Sequence, residues 1–204
     1  MTTRPQAEEL FSDRLARWFS GVEPKTVEGL NKVFAEKSLG IIIFVLMFVP
    51  ALPLPTGGVS HVFELVAMLL ALQLVVGMRT IWLPKRLSAR PIPALAHPKV
   101  TSNMLRVVRW MERFSQPRFG RLLRSQLGLM IIGLLLFGLS LAAFLAPPFS
   151  GLDTFPSIGV VIIALALIFE DALALLIGVI AGAAGVALVV GLGTEALHLV
   201  RSLL

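Results

Sequence analysis

Cysteine is missing from the 204 residues, charge is scarce at 15%, and no Lys or Arg occurs between Ser125 and Val200. The first absence excludes disulfides, thiolate metal sites and cysteine nucleophiles. The three histidines, His61, His97 and His198, stand too far apart for metal-ligand spacing, so no metal site is expected. There is no G-x-S-x-G, no DxD and no phosphate-binding glycine loop, and the chain reads as a non-enzyme without a cofactor. Scarce charge also argues against an ordinary soluble domain, where about 25% of residues are charged. Residues 1–37 hold six basic and six acidic residues and no apolar core, so no cleavable signal peptide is expected.

What is present is hydrocarbon: 56% of residues are hydrophobic and the mean hydropathy is +0.87. Stretches free of Asp, Glu, Lys and Arg run over 38–63, 65–78, 125–152, 154–169 and 172–194. A bilayer core about 30 Å thick is crossed by roughly 20 apolar helical residues, and several of these stretches reach that length. The period-2 alternation of a membrane β-barrel is absent. The expected fold is an all-α, multi-pass integral membrane protein with about four to six inserted helices.

Four regions follow along the chain. In 1–37, Leu10, Phe11, Leu15, Trp18 and Phe19, then Val27, Leu30, Val33 and Phe34, fall at helical spacing. They predict two short amphipathic helices, on a membrane surface or against the protein's own membrane part. Region 38–78 holds an apolar block broken by Pro50, Pro53, Pro55, Gly57 and Gly58, then a helix near 62–78 containing Glu64 and Gln73. Broken backbone leaves amides unpaired and cannot face lipid, so this turn must be packed in protein or line a wet cavity. Region 79–124 carries eleven Lys or Arg against the one acid Glu112 and is expected in the cytoplasm. Its apolar stripe Met104, Val107, Val108 and Met111 suits a surface helix, with anionic lipid the expected partner and nucleic acid not expected. Region 125–204 predicts helices near 126–146, 156–169 and 172–192, interrupted at PPFSGLDTFP (147–156) and at Glu170-Asp171. Its small residues at fourfold spacing, Gly178/Gly182 and Ala181/Gly185, permit close helix packing, within the chain or in a homo-oligomer.

The chain also matches itself at an offset of 93 residues. Gly40 falls on Gly133, Pro55 on Pro148, Gly58 on Gly151, and Ala71-Leu72 on Ala164-Leu165. Each unit reads as helix, Pro/Gly-broken turn, helix, with both units candidates for re-entrant segments. Paired broken segments point to a transporter-like site, and the basic segment between them is compatible with inverted repeats.

The segments PLPTGGVS (53–60), ALQLVVG (71–77), Trp82-Leu83-Pro84, Pro117-Arg118 and APPFSGLDTFPSIGVVIIALALIFEDALALLIG (146–178) resemble the ExoD exopolysaccharide-synthesis family, over roughly residues 20–195. Two departures stand out: Leu152-Asp153 where the family usually has Asn, and Glu170-Asp171-Ala172 where it has Arg-Asp-Gly. The resemblance implies a bacterial inner-membrane protein of exopolysaccharide production. The expected function is a transporter-like or export-supporting component, ion- or proton-coupled. The alternatives are a membrane scaffold for synthesis enzymes and, further off, an enzyme on a lipid-linked sugar.

The candidate transport residues are Asp171, Glu170, Glu64, Gln73 and Asp153, with Pro53, Pro55, Gly58, Pro148 and Gly151 as broken-turn backbone. Carboxylates inside a membrane usually face a cavity and act. With no cation nearby in sequence, Glu170 and Asp171 are expected to share a proton at raised pKa; the competing reading is a solvated helix boundary. Glu64 reads equally as an acid at a helix N-terminus, Gln73 as structural glue or a substrate contact, and Asp153 as a helix cap.

Overall fold

A helix that is apolar on every face is stable only where nothing around it is water, and Ser38–Phe48 is buried over its whole length. The rest of the chain is arranged around it. The computed structural model describes residues 10–21, 24–53, 59–147 and 150–203. Its helices are α1 (Phe11–Ser20), α2 (Val27–Phe34), α3 (Ser38–Phe48), α4 (Val59–Val75), α5 (Lys85–Ser88), α6 (Pro98–Phe114), α7 (Gly120–Leu123), α8 (Gln126–Leu145), α9 (Thr154–Phe169) and α10 (Ala172–Leu203). Short 3-10 turns lie at Ala35–Lys37 and Pro93–Ala96, and the described residues contain no strand. Of the broken-turn positions, Pro53 and Gly151 are exposed, while Pro55, Gly58 and Pro148 lie outside the described residues.

Helices α3–α4 and α8–α9 are two hairpins that embrace: α4 packs on α8, and α3 on α9. Glycine permits both close approaches. A methyl group on Gly133 of α8 would meet the Ala71 carbonyl oxygen at 2.9 Å and the Val75 nitrogen at 2.8 Å. One on Gly40 of α3 would meet the Ala164 oxygen at 3.4 Å and Ile168 Cγ1 at 3.0 Å. These contacts exchange under the 93-residue offset, since Gly40, Ala71 and Val75 become Gly133, Ala164 and Ile168. The hairpins run in the same sense. Gln126, opening α8, donates its side-chain amide to the Val76 carbonyl just after α4 at 3.4 Å, whereas the His61 ring, near the start of α4, meets the Phe144 ring near the end of α8 at a tilt, 5.5 Å between centroids. Inverted orientation of these two units is therefore excluded.

Helix α10 covers α9 through small residues. Gly159 faces Gly182, Gly178 sits against Ile163, and Gly185 against Phe155 and Pro156, each too close for a side chain. The fourfold glycine spacing thus serves packing within the chain.

Two helices of the described residues are long and apolar enough to cross a bilayer: α8, and α10 over Ala172–Leu192. Only 33% and 22% of these spans are buried. Such apolar surface fits lipid rather than the interior of a soluble protein. Helices α4 and α9 are shorter, with 17 and 16 residues, and the eleven residues of α3 rise only about 16 Å. Of the four to six inserted helices expected, two among the described residues have the length and composition of a span.

The polar parts gather at the end where α3, α8 and α10 begin. Phe11 of α1 meets Phe169 edge-on at 5.6 Å and Phe34 of α2 at 5.7 Å. Both amphipathic helices bury their apolar faces in the protein itself (Leu15 and Trp18, then Leu30 and Phe34). Glu112, the lone acid of the basic region, accepts from the Phe11 amide at 2.6 Å and the Ser12 amide at 3.3 Å. It thereby satisfies orphan donors at the α1 N-terminus and pins α1 to α6.

Candidate functional site

The expected transport residues fall into two clusters at opposite ends of the hairpins. At the basic end, Glu170 closes α9 with φ +58°, a left-handed conformation uncommon outside glycine. Its carboxylate pairs with Arg124. Asp171 is buried, accepting at Oδ2 from the Ser115 hydroxyl at 3.2 Å and the Gln116 amide at 3.1 Å. Its Oδ1 accepts from the Leu173 amide at 3.0 Å, capping α10, and Arg118 lies 4.0 Å away. Burial pushes the Asp171 carboxyl up, but hydrogen bonds from Gln116, Leu173, Ser115 and Ala174 outweigh it and hold the group below the usual carboxylate range. The expectation of a shared proton at raised pKa is therefore corrected. Cations and donors absent from the neighbouring sequence arrive from residues 115–124, and Asp171 is a cap and a latch.

Gln73 is likewise occupied. Its amide nitrogen donates to the Trp82 carbonyl at 3.0 Å, and its oxygen accepts from the Trp82 amide at 2.8 Å. This two-point clamp ties the end of α4 to the Trp-Leu-Pro segment.

The second cluster lies toward the broken turns. Glu64, in the second turn of α4, has zero exposure, and neither carboxylate oxygen has a hydrogen-bond partner. His61 Nδ1 lies 3.2 Å from Oε2, inside ion-pair range but without hydrogen-bond alignment. The His61 side chain is 23% exposed and so reaches the surface that Glu64 does not. Ser60 Oγ stands 3.5 Å from His61 Nδ1. Asp153, at the start of α9, acts on Glu64 through its charge. Its side chain makes no capping bond, contrary to expectation; only its backbone carbonyl engages the helix, accepting from the Ser157 amide at 3.2 Å.

Two serines complete this core and were missed from sequence. Ser140 on α8 and Ser157 on α9 are fully buried with unpartnered hydroxyls, although a helical serine can usually donate to its own preceding turn. The His61–Phe144 and Gly133–Ala71 contacts fix the α4–α8 register and bring Glu64 level with Ser140. Ser157 lies one turn inward from Asp153, at the position equivalent to Glu64 under the 93-residue offset. Carrying that offset through the buried positions was the signal that could have found it.

Residues 11–191 match the family described as "Exopolysaccharide synthesis, ExoD". A curated relative, an uncharacterized protein of Synechocystis sp., is 28% identical over 138 residues, which is 68% of this chain and 64% of that protein. The chain thus spans under two thirds of that relative's length. No solved structure matches.

Proposed function

The chain belongs to the ExoD family of exopolysaccharide synthesis, and on that premise we propose that it is a transporter-like or export-supporting, ion- or proton-coupled component of the bacterial inner membrane. Glu64 carries the reading: a fully buried carboxylate without a hydrogen-bond donor, between two packed hairpins. A carboxylate is expensive in such surroundings, and buried groups of this kind usually serve a substrate or ion path. The exchange of glycine contacts between the hairpins supports reading them as repeats around that path. The protein itself carries out no chemical turnover in this reading. The test is ion flux in proteoliposomes, with Glu64→Gln as the comparison.

The basic end faces the cytoplasm in this proposal, from its eleven-to-one excess of basic residues. Ser102 on α6 is exposed, and the protein has no cysteine of its own. A single cysteine at Ser102 should stay unlabelled by an impermeant thiol reagent in intact cells and react once they are opened. Labelling in intact cells would reverse the orientation.

One observation favours the scaffold reading. Arg106, Arg109, Trp110, Arg113 and Phe114 share the exposed face of α6, while Met104, Val108 and Met111 face inward. That face suits anionic lipid headgroups or an acidic partner. If scaffolding is the function, replacing the three arginines by glutamine releases co-purifying synthesis enzymes and Glu64→Gln does not.

A further inference from the structure

We infer that Glu64, Ser140 and Ser157 form a binding site for a small monovalent cation, a proton or an alkali-metal ion, entered from the broken-turn end past His61. The inference deepens the proposed ion coupling and rests on it for its role in function. The site itself is argued from geometry alone.

Each part of the cluster lacks something a cation supplies. The Glu64 carboxylate is fully enclosed and receives no hydrogen bond. A buried ionised carboxylate without a partner is costly enough that such groups are neutralised or paired. The Ser140 and Ser157 hydroxyls, from two other helices, are equally enclosed and unpartnered. Hydroxyl and carboxylate oxygens are the ligands that hard cations prefer. Over 90% of buried polar groups find partners; among the described residues Trp18 and Ser38 are also unpartnered, at the basic end, while Glu64, Ser140 and Ser157 are the three toward the broken turns, on α4, α8 and α9.

The ionisable surroundings are few. On α4 itself, His61 approaches Glu64 at 3.2 Å, and from the start of α9 Asp153 adds a second negative charge. Ser38–Phe48 of α3, Gln126–Leu145 of α8, Thr154–Phe169 of α9 and Ala172–Leu192 of α10 contain no Asp, Glu, Lys, Arg or His. No Lys or Arg therefore comes from the packed helices to neutralise Glu64. His61 is the one group of the cluster with both a surface and a contact to the carboxylate, which makes it the entry. Asp153, with slight exposure at the same end, would draw cations toward the opening.

The test uses the full chain in lipid nanodiscs and an apolar carbodiimide, which reacts with a protonated carboxyl in an apolar setting. Sites of modification are read by mass spectrometry across pH, with and without sodium, potassium or lithium chloride. Modification at Glu64 should fall as pH rises, by about tenfold per pH unit above the group's own pKa, or be suppressed by one alkali-metal salt. Loss with pH alone identifies the proton. Suppression by one salt and not the others identifies an alkali-metal site, and Ser140→Ala and Ser157→Ala should each weaken that protection severalfold. Glu64 left unmodified at every pH, or modified equally under all conditions, overturns the site. Because this readout needs no flux, labelling that behaves as described in a protein that transports nothing would sink the transport reading and leave the cation site standing.

Discussion

Gly133→Leu should abolish accumulation of folded protein, while Gly138→Leu, five residues along the same helix, leaves it intact. At Gly133 a side chain meets the backbone of Ala71 and Val75, which cannot swing aside as a flexible side chain would. Overpacking costs about 1–3 kcal/mol where neighbours can adjust, so this position belongs at the top of that range or above. Gly138 is exposed and has nothing within 4 Å of an added Cβ. There the only change is a better helix former, worth up to about 1 kcal/mol in the favourable direction. Gly40→Leu meets the Ile168 side chain first, with the Ala164 oxygen further off, and should fall between the two. The measurement is the fraction of detergent-solubilised protein that stays monodisperse after heating. Equal behaviour of the Gly133 and Gly138 variants would show that α4 and α8 do not pack as described.

Asp171→Ala should destabilise the fold by about 2 kcal/mol near neutral pH, from loss of a helix cap and exposure of unmatched donors at Ser115 and Gln116. The effect should fade in acid. Burial acts upward on this carboxyl but its four hydrogen-bond donors prevail, so its folded pKa is depressed. A depressed carboxylate contributes stability that is present above its unfolded pKa and lost as pH falls through the lower folded value. Melting temperatures of wild type and variant should therefore converge at low pH and diverge toward neutrality. A variant as stable as wild type at neutral pH, but altered in the pH dependence of flux, would restore Asp171 as a functional acid.

The two acidic sites show what sequence could and could not convey. Helix positions were legible because apolar length and Pro/Gly breaks are local: 126–146 became Gln126–Leu145, and 156–169 became Thr154–Phe169. The helix expected at 62–78 begins and ends three residues earlier, at Val59–Val75. Partnership is not local. Asp171 looked isolated because no cation lies nearby in the chain, yet Ser115 and Gln116 reach it from 56 and 55 residues away. Gln73 looked stranded in hydrocarbon because Trp82 returns to it only after the chain turns back. Glu64 left two readings open in sequence, a transport candidate and an acid at a helix N-terminus. Near a helix start it reads as an ordinary first-turn acid, and only the packing of α3 and α8 against α4 leaves a buried carboxylate with nothing to bond. Span number is less legible for a related reason: hydropathy marks a segment as apolar, whereas the short α3 is enclosed by protein over its whole length.

The most direct measurement of the central claim is ion movement through purified protein in sealed liposomes, followed with dyes for protons and for alkali-metal ions under an imposed gradient. Wild-type protein is predicted to dissipate the gradient of one of these cations, and Glu64→Gln, equally folded and equally incorporated, to lose most of that flux. Identical flux from both proteins, or none from wild type above empty liposomes, would contradict the account.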